Sequence, residues 1–182
     1  MKKGALKNQT YEHQELSEKA LHWAANKCTQ AGNRGSIEAK ISGYGVADAT
    51  IVQALQFKYR VYYQIPQGHH YADERHVFVF ESKISHNDFM TIWPKLKQGI
   101  TPGNFNYIVC SKGLIKINEI PFGWGLLETK GPGLTEIVKP KYFEIPLIQR
   151  LDIESNLLWY SHRRWESKRL TVINCPECNK EY

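Results

Sequence analysis

Apolar residues recur at helical or strand spacing along most of this chain. Residues 11–28 carry an apolar side chain at every third or fourth position after Thr10, a suitable N-cap, which predicts an amphipathic helix. Residues 36–41 alternate instead, which predicts a strand with Ile37, Ala39 and Ile41 on one face. The glycine turn at 43–45 then leads into a second predicted strand, through residue 52, that pairs antiparallel with the first.

The segment 76–83 predicts the central strand, because β-branched and aromatic residues alternate along it and it ends in Glu81-Ser-Lys83. Side chains of a strand alternate between its two faces, so Glu81 and Lys83 share a face with Val77 and Val79. Burying a charge costs several kcal/mol unless the charge is paired or bound to metal. A charged pair at the end of a buried strand therefore indicates chemistry.

The next segment predicts a helix, because Ser85 and Asp88 have the spacing of a capping box. Its apolar stripe comprises Phe89, Ile92, Trp93 and Leu96. Pro94 should kink this helix or end it early. Further strands are predicted at 105–111, 113–121 and 123–128, with a last extended segment at 138–145. Residues 58–63 are compatible with another strand, and residues 66–74 with an exposed polar loop.

A last helix is predicted from Pro146 to about residue 170. Its apolar repeat consists of Leu147, Ile148, Leu151, Leu158 and Trp165. Helix, strands, helix, strands and helix in this order predict an α/β fold with a mixed central sheet flanked by helices. We expect one α/β domain over residues 1–170 and a tail over residues 171–182.

Length and charge set the class of protein. The chain has 182 residues with 42% hydrophobic composition, enough for one domain with a sizeable core. Its formal net charge of +6 favours an anionic partner such as nucleic acid. The basic N-terminus lacks the apolar region of a secretory signal, and no apolar run reaches the ~18 residues of a membrane span. We therefore expect a cytoplasmic protein, associated with the nucleoid if it is bacterial, whose oligomeric state is open.

Asp48 on one predicted strand, followed by Glu81-x-Lys83 on another, resembles the signature of the PD-(D/E)XK nuclease superfamily. Within it the chain is most similar to the MmcB-like DNA repair proteins, in the run from Glu81 through Ser85, then Asp88-Phe89, and in Trp93. The likeness extends over residues 38–128, with a longer segment between the two strands than a tight hairpin needs. It implies a restriction-endonuclease-like fold and a metal-dependent deoxyribonuclease acting in DNA repair or processing.

The resemblance also implies the roles of the residues. Asp48 and Glu81 would bind Mg²⁺ or Mn²⁺ together with the backbone carbonyl of Ser82, and Lys83 would act on the attacking water. Auxiliary acids could be Glu38 on the first strand, or Glu18 or Glu15 on the first helix, although a solvated charge is the better explanation for each of these residues.

Other interpretations stay open for the central residues. Glu81 and Lys83 could form a structural ion pair, with Asp48 no more than an acid beside a turn. The chain could also be a non-catalytic DNA-binding repair-accessory module on the same fold, or a small regulatory protein whose acids are structural.

Two further features bear on DNA and zinc. The polar face of the last helix is basic and includes Arg163, Arg164 and Lys168, which could contact DNA phosphates. Cys175 and Cys178 have the C-x2-C spacing of half a zinc site, but a structural zinc needs four ligands and no second pair follows. Two free thiols fit as well. Cys28 and Cys110 fall within apolar patterns and are expected to pack in the core.

Overall fold

The structure, a computed structural model, describes residues 10–27, 34–65 and 75–166, with the backbone alone at 34, 57 and 160–166. In chain order its elements are α1 (Tyr11–Ala25), β1 (Arg34–Ile41), β2 (Gly45–Ala54), α2 (Phe57–Tyr62), β3 (Arg75–Lys83), α3 (His86–Lys97), β4 (Phe105–Cys110), a 3-10 turn (Ile117–Glu119), β5 (Gly125–Lys130), β6 (Gly133–Val138) and α4 (Leu147–Glu166). The boundary predicted at residues 170 and 171 lies outside the described residues.

The six strands form one sheet in chain order from β1 to β6. β1, β2 and β3 pair antiparallel, β3, β4 and β5 pair parallel, and β5 and β6 form an antiparallel hairpin. Helix α3 makes the crossover from β3 to the parallel strand β4. The predicted α/β fold, a mixed sheet flanked by helices, is confirmed.

Each face of the sheet has its own core. On one face α1 packs against residues such as Ile37, Phe78 and Tyr107, which we call the α1-side core. On the other face α3 and α4 pack against Val77 and Ile108, which we call the α3-side core. The strand β3 is buried on both faces, as its apolar pattern predicts.

Both predicted helix caps form. The Thr10 side chain accepts from the His13 amide at the start of α1, and Ser85 accepts from the Asp88 amide at the start of α3. Helix α3 continues through Pro94 to Lys97, so Pro94 does not end it early, and the alternative that Pro94 kinks it stays a prediction. A proline removes only its own N–H, and here packing of Phe89 and Leu96 in the α3-side core supports the turns on both sides of it.

Strand β1 does not keep Ile37, Ala39 and Ile41 on one face. Ile37 belongs to the α1-side core, whereas Ala39 and Ile41 belong to the α3-side core. The cause lies at Glu38, whose φ of 57° is outside the strand region and breaks the two-residue alternation.

Three other expectations about single segments are wrong. Residues 58–63 fall mostly in the short helix α2, where the Tyr59 and Arg60 amides bond to the Gln56 carbonyl. Residues 113–121 form turns and the 3-10 segment, since Glu119 bonds to the Lys116 amide and closes the chain locally. The last extended segment is β6, which ends where the predicted segment 138–145 begins.

Helix α4 begins at Leu147, one residue after the predicted start at Pro146, but a different apolar stripe is buried. Ile153 and Leu157 are buried in the α3-side core, whereas Leu147, Ile148 and Leu151 are exposed. Helical spacing allows either stripe, and docking of α4 against β1 selects the one that contains Ile153.

Candidate active site

The candidate site lies where β2 and β3 separate. Their pairing ends at Ala49 and Phe80, so Asp48 and Glu81 are the first residues beyond the ladder. The Asp48 carboxylate fills the opening, because its Oδ2 accepts the Ser82 amide N–H at 2.9 Å. Because β2 and β3 no longer pair here, the Asp48 side chain bonds to the backbone near the end of β3.

Lys83 joins the two acids. Its Nζ lies 3.2 Å from Glu81 Oε2 and 3.5 Å from Asp48 Oδ2. Glu81 and Lys83 are each 4% exposed, and the Asp48 side chain is 15% exposed, so the cluster reaches solvent on its Asp48 side. The structure therefore brings together Asp48, Glu81 and Lys83, as the family resemblance implies.

Tyr44 adds a neutral donor from the turn between β1 and β2. Its hydroxyl donates to Glu81 Oε1 at 2.8 Å, and the ring is buried. Lys95 of α3 lies over the ring, with its Nζ 3.3 Å from the ring centroid, and burial lowers the pKa of Lys95. The Lys95 ammonium group is therefore separated from Glu81 by the Tyr44 ring.

The pKa values of Glu81 and Asp48 are shifted in opposite directions. Burial, together with the negative charge of Asp48, raises the pKa of Glu81 to about 7. Burial opposes ionisation of Asp48 too, but the hydrogen bond from His13 and the charge of Lys83 hold the pKa of Asp48 below its usual value. Burial would lower the pKa of Lys83, and the two carboxylates raise it instead. Asp48 and Lys83 are thus charged near neutrality while Glu81 is poised between states.

His13 of α1 belongs to the site and was not predicted. Its Nε2 lies 3.3 Å from Asp48 Oδ2, and its pKa is raised, chiefly by the hydrogen bond to Asp48. A signal for it exists in the sequence: His13 precedes Ser17 by one helical turn on the buried side of α1. Ser17 in turn bonds to Ser82, with 2.9 Å between the hydroxyl oxygens. Helix α1 therefore contacts the site through His13 and Ser17.

The predicted auxiliary acids have different positions. Glu38 is opposite Asp48, between the pairs Ile37–Ala49 and Ala39–Ala47. Glu18 accepts from Gln14 at 2.8 Å on its own helix. Glu15 likewise pairs with a residue of α1, since its Oε1 lies 2.7 Å from the Lys19 Nζ. Only Glu38 is therefore adjacent to the site along the sheet.

The donor set suits a hard divalent cation in part. Within the part of the chain that the structure describes, no three His, Cys, Asp or Glu side chains form a group that could hold a metal ion. Asp48 and Glu81 supply two carboxylates, and we expect the Ser82 carbonyl on the same side of β3 as the Ser82 N–H that meets Asp48. Mg²⁺ is commonly bound by one or two carboxylates, with water and substrate phosphate completing its shell, so this set fits Mg²⁺ or Mn²⁺.

Other predicted residues lie outside the described structure. This applies to the side chains of Arg163 and Arg164 and to Lys168, Cys175 and Cys178. Cys28 and the loop at 66–74 also fall there. Cys110 is a free thiol buried in the α3-side core, and burial raises its pKa to about 12, so the packing role expected for it is confirmed.

Comparisons with known proteins bear on the fold. No family model and no curated protein matches the chain. The structure is similar to a solved protein of unknown function from Silicibacter pomeroyi, with a TM-score of 0.58 and 13% identity, over 88% of this chain and 96% of that one. At this identity the likeness concerns the fold alone. Among the described helices, none has the length and hydropathy needed to cross a bilayer.

Proposed function

We propose that this protein is a metal-dependent DNA nuclease of the PD-(D/E)XK type, similar to the MmcB-like DNA repair proteins. The observation that carries the proposal is the convergence of Asp48, Glu81 and Lys83 at the separation of β2 and β3, with Lys83 Nζ within 3.5 Å of both acids. The net charge of +6 agrees with DNA as the partner.

Asp48 and Glu81 would hold Mg²⁺ or Mn²⁺, with the Ser82 carbonyl as a backbone ligand. The cation would supply a more acidic bound water and neutralise charge that develops on the phosphate. Glu81 favours this binding, because a carboxylate whose pKa is raised by burial and by Asp48 gains most from an added positive charge.

Lys83 has the geometry to orient the water and to stabilise negative charge on the phosphate. Both acids keep its ammonium protonated, and they hold it at the end of β3. Protonated Lys83 is therefore a hydrogen-bond donor and a fixed positive charge in a site that is nearly closed to solvent. Lys95, over the Tyr44 ring, would add a second cation for the phosphate.

The test is cleavage of labelled single-stranded, duplex and branched DNA with Mg²⁺, Mn²⁺ or EDTA. Asp48→Asn and Lys83→Met should each lower the rate at least ~100-fold, the usual cost of losing a group that stabilises the transition state. Glu128→Gln is the matched control, because Glu128 is a buried acid of β5 that accepts the Gly113 amide outside the site. Wild-type cleavage that is indifferent to EDTA, or variants as active as the control, would contradict the proposal.

Metal binding has a readout that does not depend on cleavage. Mn²⁺ should raise the Tm of the wild type and of Glu128→Gln, because a ligand bound to the folded state alone stabilises it. Asp48→Asn should lose this rise. An equal rise in all three proteins would place the cation elsewhere.

A non-catalytic DNA-binding module on the same fold is the second candidate. It is favoured by Lys83, which already pairs with both acids and so satisfies them as a structural ion network would. DNA binding by the wild type, without cleavage of any substrate with either metal, would support this candidate.

A further inference from the structure

A groove of about 400 Å³ lies on the far side of α3 from the candidate active site. Trp93, Leu96 and Lys97 of α3 form one wall, and Ile120, Phe122 and Phe143 line the other. Lys95 faces Tyr44 instead, about half a helical turn away from Trp93 and Lys97. The groove and the acids are therefore separated by one helix, whose diameter is on the order of 10 Å.

Each wall combines an aromatic ring with a lysine. Lys97 Nζ is 5.1 Å from the Trp93 ring centroid, and Lys141 Nζ is 3.8 Å from the Phe122 ring centroid. None of the described residues that line the groove is acidic. The groove thus offers apolar and aromatic surface bordered by positive charge.

Phe122 is held in an exposed position. It is 78% exposed at the tip of a turn that the Trp124 amide closes by bonding to the Pro121 carbonyl. Lys141 covers one face of the ring, and its amide is bonded to the Gly123 carbonyl, so ring and lysine are fixed to the same turn. The exposure of Phe122 means that the other ring face is accessible.

The rest of the wall that carries Phe122 is also held by specific contacts. The Phe143 amide donates to the Asn104 carbonyl, and Asn104 Nδ2 donates back to the Phe143 carbonyl at 2.8 Å. Gly123 has a φ of 83° and approaches the Phe143 ring so closely that a Cβ there would lie 2.3 Å from it. The segment carrying Lys141 and Phe143 is therefore tied to the sheet.

We propose that this groove binds unpaired bases of a DNA strand, with Phe122 and Trp93 as stacking surfaces and Lys97 and Lys141 as phosphate contacts. An aromatic ring stacks on any base, and lysines beside it meet the backbone, which is how proteins bind single strands without reading sequence. The inference rests on the proposed function for its ligand class and deepens it: the substrate would carry single-stranded DNA next to the cleaved bond.

The experiment measures DNA binding without cleavage. A short labelled single strand and the matching duplex are titrated in EDTA with the Lys83→Met protein, alone and with Phe122→Ala, Phe122→Trp or Lys141→Gln added. Lys58→Gln is the matched control, because Lys58 also lies over an aromatic ring, Tyr59, which packs against the α1-side core on the other face of the sheet.

Phe122→Ala should weaken single-strand binding about tenfold, since stacking on an aromatic side chain is a main contribution to the binding of an unpaired base. Phe122→Trp should bind at least as well as Phe122, and duplex binding should change less than about twofold because paired bases are not free to stack. Lys141→Gln should make the slope of log K against log[salt] shallower by about 0.7, the value for one phosphate contact on a single strand. Lys58→Gln should leave that slope unchanged.

Failure of this inference and failure of the proposed function would give different results. If Lys83→Met binds DNA but the groove variants bind both substrates as it does, the groove serves another ligand, such as an apolar peptide, and the inference is overturned alone. If neither Lys83→Met nor the wild type binds any DNA in EDTA, and the wild type cleaves none with Mg²⁺ or Mn²⁺, the proposed function fails with it.

Discussion

Two acids in this sheet accept hydrogen bonds from tyrosines, and their other neighbours differ. Glu136 of β6 accepts from the hydroxyls of Tyr62, at 2.7 Å, and of Tyr107, whose hydroxyl also lies 3.0 Å from that of Tyr63. We call these four residues the tyrosine cluster. Glu81 accepts from one tyrosine, Tyr44, but it also faces the carboxylate of Asp48 and the ammonium of Lys83.

The difference separates a structural polar cluster from a candidate site. In the tyrosine cluster neutral donors satisfy one carboxylate, and the hydrogen bond to Glu136 raises the pKa of Tyr62 to about 12. At Glu81 a second acid stays nearby, and burial and Asp48 oppose ionisation. The repulsion between two neighbouring acids lowers the stability of the folded protein, whereas a bound cation would be attracted by both.

The largest expected effect comes from replacing Glu81, which removes a buried charge and its repulsion with Asp48. Glu81→Gln should make the protein more stable than wild type by up to about 3 kcal/mol above pH 7, which is the free energy of moving a pKa from 4.5 to about 7. The folded state binds the Glu81 proton more tightly than the unfolded state, so wild-type stability falls as pH rises from about 4.5 to 7. The gain should therefore disappear below about pH 4.5. Urea unfolding in EDTA across this range measures it.

Glu136→Gln tests the comparison from the other side. It weakens the acceptor that two tyrosines share, so it should lower stability above pH 7, where Glu81→Gln raises it. A Glu81→Gln protein that is less stable than wild type at pH 8 would mean that Glu81 is a satisfied structural acid like Glu136.

The next largest effect concerns the tyrosine hydroxyls. Tyr107→Phe removes a donor to Glu136 and the partner of Tyr63, and should cost about 1–3 kcal/mol of stability with DNA cleavage unchanged. Tyr44→Phe removes the neutral donor of Glu81 and should lower cleavage as well. Urea unfolding and cleavage rates of both variants measure the two effects. If Tyr107→Phe lowers the cleavage rate as much as Tyr44→Phe does, the tyrosine cluster and the candidate site are not functionally distinct.

The sequence predicts best what local rules determine. The alternation along β3 and the caps at Thr10 and Ser85 depend on neighbours within a few residues, and all three have the predicted structure. The pairing of Glu81 with Lys83 follows from the same alternation. The meeting of Asp48 with these residues, 33 to 35 positions away in sequence, was predicted through the family resemblance and not from spacing.

What the sequence does not predict depends on how elements pack. Tyr44 looks like a turn residue, and only the return of β2 beside β3 brings its hydroxyl to Glu81. The exposed Leu147 and Ile148 follow from the angle at which α4 meets β1, which helical periodicity leaves undetermined. Glu38 is a third case. Its positive φ moves the side chains that follow to the other face of the sheet, and the sequence gives no sign of this because the residue is not a glycine.

The smallest expected effect is at the solvent-facing side of the candidate site, where His13 meets Asp48 with its Nε2 at 3.3 Å from Oδ2. Because Asp48 is the main cause of the raised pKa of His13, Asp48→Asn should lower that pKa toward 6.5. A raised pKa stabilises the folded protein below about pH 6.5, and this stabilisation is lost as pH rises through the folded-state value. It should amount to about 1 kcal/mol, the usual size of one hydrogen bond. NMR titration of the His13 imidazole resonances in the two proteins measures the shift. An unchanged His13 titration in Asp48→Asn would mean that α1 does not contact the site through this pair, and that Ser17 alone connects them.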